Sequence, residues 1–267
     1  MKDRTSILVS LDAGLGDLHQ ARCVLHDLKL AHPYHKLVFG TSLKYFDAIR
    51  CHPAITEVVD INNTDPDNFT YWYALSRPCS QSCIQGENTI DYYATSLGIK
   101  ITDYDMRFRL TDEEVDFALG LTQGKPTIGL APISSTLARN LTPEARRGVC
   151  EALLASGWQV VLLHSNKLPE LPREVLQPSL ELRQLIAVWH QCKAAICVDT
   201  SHLHLVGGIG LPTVGIFATQ CGWIYSRRYK QVRVIQQHPV GTKCQTPDIT
   251  GVTAEEILEQ FRQLEIK

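Results

Sequence analysis

Apolar residues fall along this chain in short strand-length runs, and helix-period stripes separate them. Residues 6–11 form the first run, and Leu18, Ala21, Leu25 and Leu28 then lie on one stripe of a helix that His32-Pro33 ends. Further strands are expected at residues 37–40 and 55–61, with a short helix at 45–50 between them. A second series opens at residues 127–131. It continues with a helix capped by Thr142 with Pro143 in its first turn, a strand at 158–163, a helix at 180–192, strands at 194–198, 213–217 and 232–235, and a terminal helix at 253–264. This alternation predicts an α/β protein with parallel sheets and crossover helices. Gln123-Gly124-Lys125-Pro126 has a linker's composition, so the expected halves are residues 1–123 and 124–267, each Rossmann-like, facing across a cleft. The terminal helix is expected to be able to pack back on the first half.

Between these series the pattern weakens. Residues 62–86 are rich in Asn, Asp, Pro and Ser and read as a loop with an aromatic insertion, Tyr71-Trp72-Tyr73, which suits local packing better than a stacking platform. Residues 87–97 suit a helix closed by Gly98, residues 99–110 alternate and are polar, and residues 111–121 suit an acidic helix.

Two polar turns follow strand-like runs. Asp12-Ala13-Gly14-Leu15-Gly16-Asp17 opens the first helix, and Asp199-Thr200-Ser201-His202 follows the apolar run 194–198. After the second turn a short helix carries His204, and Gly207, Gly208 and Gly210 are expected to stop it before Pro212. In open α/β sheets ligands bind beyond the carboxyl ends of strands, where both turns should lie. The first turn lacks the last glycine of a dinucleotide fingerprint, which counts against an NAD-dependent dehydrogenase.

Composition narrows the classes. The 267 residues carry a formal net charge of −2 with no basic block, which disfavours a nucleic acid partner. No window has the length and apolarity of a membrane span and the N-terminus lacks a signal-peptide core, so a cytoplasmic location, at most peripheral to a membrane, is expected. The 9 cysteines are scattered and several sit in apolar runs, as reduced buried thiols do. The closest pair, Cys79 and Cys83, has no second pair to complete a zinc site, and no acidic cluster suggests a divalent ion.

The run from Ser179 through Asp199-Thr200-Ser201-His202-Leu203-His204 to Gly210-Leu211-Pro212-Thr213-Val214-Gly215-Ile216-Phe217 resembles glycosyltransferase family 9, the heptosyltransferases. Gly14-Leu15-Gly16-Asp17 and Leu97-Gly98-Ile99 are similar to that family's first-half motifs. The resemblance implies a GT-B fold and transfer of a sugar from a nucleotide-sugar donor, with inversion and without metal or other cofactor. A saccharide or glycolipid is the implied acceptor; a modified DNA base, or binding without catalysis, is the alternative. Three positions depart from the family pattern: Ser201 replaces a glycine, Arg139 a lysine, and His164-Ser165-Asn166 stands where a carboxylate often follows the strand.

The resemblance also implies roles. Asp17 would take the acceptor proton, although a carboxylate there would equally cap the helix. Gly14 and Gly16 would form the tight turn. Ser134, Ser135 and Arg139 would hold the donor phosphates with Thr200, Ser201 and the following N–H groups, unless the serines are ordinary turn hydroxyls and the arginine a solvated charge. Asp199 would bind a sugar hydroxyl or orient the turn, and His204 would donate to a phosphate oxygen or pack in the core. His202 reads as structural, and Arg227 and Arg228 as a solvated loop pair.

Overall fold

The computed structural model describes residues 3–76, 86–218, 220–238 and 248–266. It divides into two compact units, Met1–Leu110 and Thr111–Lys267. The Cys79 to Cys83 pair and Thr219 lie outside the described residues.

The first unit is built on a four-stranded parallel sheet. Strands β1 (Asp3–Ser10), β2 (Lys36–Thr41), β3 (Glu57–Asp60) and β4 (Phe69–Ala74) are ordered β3-β2-β1-β4. Central β1 is apolar on both faces, with Ile7, Leu8 and Val9 buried. Among the described residues the unit carries helices α1 (Leu15–Ala31), α2 (Phe46–Ile49) and α3 (Thr89–Ser96), and α1 packs against both α2 and α3.

One expectation fails in this unit. The segment expected to be a loop contains β4, because Tyr71-Trp72-Tyr73 is a β-forming aromatic run paired with β1 from Ile7 to Val9. The alternating residues 99–110 form no strand. Their backbone is tied to α1 side chains instead. Arg22 is fully buried and donates to Met106 O (3.0 Å), Arg107 O (3.1 Å), Ala48 O (2.9 Å) and Ile49 O (3.0 Å), with Phe108 3.8 Å from its guanidinium carbon. Asp27 accepts from Thr102 N (3.0 Å) and Thr102 Oγ1 (2.6 Å). Carbonyls held this way have no use for a neighbouring strand.

The second unit starts with α4 (Asp112–Thr122), which sequence composition had placed on the other side of a linker. Strands β5 (Thr127–Ala131), β6 (Gln159–Leu162), β7 (Ala194–Val198), β8 (Thr213–Phe217) and β9 (Val232–Gln236) form a parallel sheet ordered β6-β5-β7-β8-β9. Its crossovers include α5 (Pro143–Ala155), α6 (Leu182–Gln191), α7 (Ser201–Gly208) and α8 (Gly222–Ser226), and α9 (Ala254–Arg262) follows. Every residue of β5, β7 and β8 is buried, as strands covered on both faces require. Helix α4 packs along α6, and α9 packs on α5 with Ile257 and Phe261 in this unit's core.

Glycines set the packing distances. A Cβ on Gly129 of β5 would run into the Trp189 ring, and one on Gly207 into the Tyr229 ring. Gly207 and Gly208 therefore belong to α7 rather than stopping it. Gly210, at φ +78°, makes the turn that follows.

Candidate functional site

The carboxyl end of β7 leads directly into Asp199 and the N-terminus of α7. Thr200 takes the N-cap position in an extended conformation, but its side chain makes no capping hydrogen bond. The first N–H groups of a helix have no intrahelical acceptor, so an uncapped N-terminus presents donors and a partial positive charge to an anion. The loop after β5 comes to the same turn. Ser134 Oγ accepts from Thr136 N (3.0 Å) and Asn140 Oδ1 accepts from Ser134 N (2.7 Å), which folds residues 132–141 back on themselves. Thr136 to Asn140 makes a single turn of 3-10 helix that ends on Arg139.

Arg139 reaches Asp199 from this turn. Its Nη1 lies 3.2 Å from Asp199 Oδ2 and donates to Asp199 O at 3.4 Å. The Asp199 side chain is 9% exposed and the arginine 30%. The arginine is thus a partner of the carboxylate rather than a solvated charge, and its fork keeps Nε and Nη2 for a further acceptor among the described residues. Ser134 is engaged in its own turn, while Ser135 is exposed.

His204 lies one turn into α7, buried, with Nδ1 3.0 Å from Tyr229 Oη and with the rings of Tyr225 and Tyr229 about it. The structure gives it a core partner that the sequence did not reveal, since Tyr229 lies far along the chain. His202 accepts from the Trp189 indole N–H at 3.1 Å, and burial lowers its pKa to about 4. At the end of β6, His164 Nδ1 accepts from Asn166 N at 3.0 Å, and partial burial lowers its pKa.

In the first unit Asp17 lies in the first turn of α1, beyond the carboxyl end of β1, with Gly14 at the N-cap. A Cβ on Gly14 would stand 3.5 Å from Asp17 Oδ2, so the turn and the carboxylate are neighbours. Asp17 is half-buried, and its charge suits the helix N-terminus. Gly16 lies within α1.

Residues 74–245 match the model of glycosyltransferase family 9 (heptosyltransferase). The chain belongs to this family. Like the family's other members it is a glycosyltransferase. Solved structures show the same fold. A glycosyltransferase family 9 protein from Veillonella parvula shares 14% identity over 98% of each chain, with a TM-score of 0.76. E. coli ADP-heptose lps heptosyltransferase II shares 13% over 98% of each chain, with a TM-score of 0.71. E. coli heptosyltransferase WaaC with ADP-2-deoxy-2-fluoro heptose shares 14% over 97% of this chain and 99% of that one, with a TM-score of 0.68. No curated protein sequence matches. The two Rossmann-type sheets are those of a GT-B glycosyltransferase. No helix among the described residues is long and apolar enough to cross a membrane.

Proposed function

We propose that this glycosyltransferase moves a sugar from a nucleoside diphosphate donor to a hydroxyl of a saccharide or glycolipid acceptor, with inversion and without a metal. The uncapped N-terminus of α7 beside the Arg139–Asp199 pair carries the reading. These groups suit a diphosphate: N–H donors and a helix dipole on one side, a planar guanidinium on the other. Asp199, already held by Arg139, suits a sugar hydroxyl better than a phosphate.

In the proposed reaction the acceptor oxygen attacks the anomeric carbon while the bond from that carbon to the phosphate oxygen breaks. The electron pair leaves with the nucleoside diphosphate, whose developing charge falls on Arg139 and the α7 N–H groups. The acceptor proton passes to the Asp17 carboxylate in the first turn of α1. Metal independence rests on that cationic and dipolar stabilisation.

Thermal shift against ADP-, UDP-, GDP- and CMP-sugars, followed by turnover assays, tests the reading. A donor that raises the melting temperature and is consumed with an acceptor supports it, whereas stabilisation by no nucleotide sugar overturns it. Transfer that survives chelation supports the metal-free route. An Asp17→Ala enzyme that transfers at the wild-type rate removes Asp17 from the base role.

A further inference from the structure

Two stretches of the first unit meet at the buried Arg22 of α1, and each brings a donor that finds no acceptor. Arg22 Nη1 bonds the carbonyls of Ala48 and Ile49 on α2, while Nε and Nη2 bond those of Met106 and Arg107. The turn after α2 is anchored on one of the same carbonyls, since His52 N donates to Ile49 O at 3.2 Å. His52 and Arg107 are thus each joined to one guanidinium through a single carbonyl.

His52 is 2% exposed, and its Nδ1 accepts from Ala54 N at 3.1 Å. The neutral ring therefore carries its proton on Nε2. That nitrogen is buried without a hydrogen-bond partner among the described residues, and so is Arg107 Nε. Arg107 commits its Nη2 to Asp103 at 2.9 Å. Burial lowers the pKa of His52, and the nearby charges of Arg22, Arg107, His26 and Arg109 lower it further. The ring is set among basic side chains.

Buried donors without acceptors call for a guest that supplies them. Water suits poorly, because its own hydrogens need acceptors in turn. The four carbonyls around Arg22 already accept from it. Asp103 Oδ1 accepts from Asp105 N at 3.0 Å, and Asp105 Oδ1 from Arg107 N at 2.7 Å. An oxyanion needs no acceptors, takes several N–H donors at once, and offsets the local positive charge.

We propose that His52, Arg107 and Arg109 hold a phosphate-type oxyanion, at a site distinct from the donor turn of the second unit. Its oxygens accept from His52 Nε2 and Arg107 Nε. Arg107 is half-buried and Arg109 exposed, so long side chains rather than backbone move aside to admit it. Half-buried His26 of α1 adds a further basic group. Bound there, the anion ties the turn after α2 and residues 103–109 to α1. Its source is free phosphate or a phosphate group carried on a sugar.

Histidine-selective 15N NMR on the full-length protein tests this, with the His52 ring signals assigned through His52→Gln. Phosphate added at constant ionic strength should move the His52 Nε2 signal along a saturable curve. Sulfate should do the same and chloride should not. Glucose 6-phosphate separates the sources: a matching curve admits a carried phosphate group, no response restricts the site to the free anion, and the site stands in both cases. Arg107→Gln should weaken phosphate binding roughly tenfold, and Arg109→Gln by less. Arg139→Ala, which removes the cation proposed for the donor phosphates, should leave the His52 curve unchanged. A wild-type His52 signal that ignores phosphate and sulfate overturns the inference, whether or not the variants fold. So does a response that chloride reproduces, or a curve that Arg107→Gln and Arg109→Gln both leave unaltered.

Discussion

Arg183 grips Glu114 with two parallel hydrogen bonds, Nε to Oε1 at 2.7 Å and Nη2 to Oε2 at 2.6 Å. The same carboxylate accepts the Thr111 N–H at 2.9 Å and closes a capping box at the start of α4. One side chain thus caps its own helix and fastens it to α6. The arginine side chain is 6% exposed and the carboxylate 17%, so the pair works in a poorly hydrated setting. Removing one partner leaves a buried charge. Glu114→Ala should cost about 3 kcal/mol or more, read as a lower urea midpoint. A midpoint like the wild type's would show that the pair contributes nothing.

The close approach at Gly207 predicts a second loss. Gly207→Ala places a methyl group where the Tyr229 ring lies, on a helix packed between strands. It should destabilise by about 1–3 kcal/mol, since a packed ring must move. Combining the substitution with Tyr229→Ala should restore part of the stability, which a double-mutant cycle measures.

Two desolvated histidines, one buried and one half-buried, give the fold an acid-sensitive flank. His52 is lowered to about 2, first by burial and then by the charges of Arg22 and Arg107, and His202 is lowered to about 4 by burial. Both start from an unfolded value of 6.5. Between the folded and unfolded values the unfolded chain binds more protons, so this contribution is complete above about pH 6.5 and is lost as the pH falls. Urea midpoints should therefore drop between about pH 7 and pH 5. His52→Gln and His202→Gln should each flatten that slope; an unchanged slope in both would refute the assignment.

At the proposed donor turn, Arg139→Ala should raise the donor KM roughly ten- to hundredfold, as expected for lost hydrogen bonds to a charged group. Arg139→Lys should recover part of this, because it keeps the charge and loses the fork. Asp17→Asn should lower kcat while leaving the nucleotide-sugar thermal shift in place. That split separates the proposed base from the donor-binding groups.

Much of this architecture was legible in the chain. β5, β7 and β8 read as strands because burial on both faces requires unbroken apolar runs, and Thr142 and Pro143 marked the start of α5. β4 escaped because an edge strand is only half covered and its aromatic run is short. The division before α4 was hidden, since the residue that assigns the helix to the second unit is Arg183, distant in sequence. At the site, the Asp199 turn and Arg139 could be named one by one. Their pairing could not, nor could the Tyr229 contact that places His204 in the core. Such contacts come from topology rather than from local pattern.

Thiol burial has a practical consequence. Cys23, Cys150, Cys192 and Cys197 are buried, and burial raises their pKa, that of Cys150 to about 12. They will be slow toward alkylating reagents. Among the described residues this leaves exposed Cys51 in the first unit and half-exposed Cys221 in the second. With Cys79, Cys83 and Cys244 replaced by serine, the protein would carry one addressable thiol in each unit. A donor–acceptor dye pair on those two positions would turn any rearrangement of the units during turnover into a change in energy transfer.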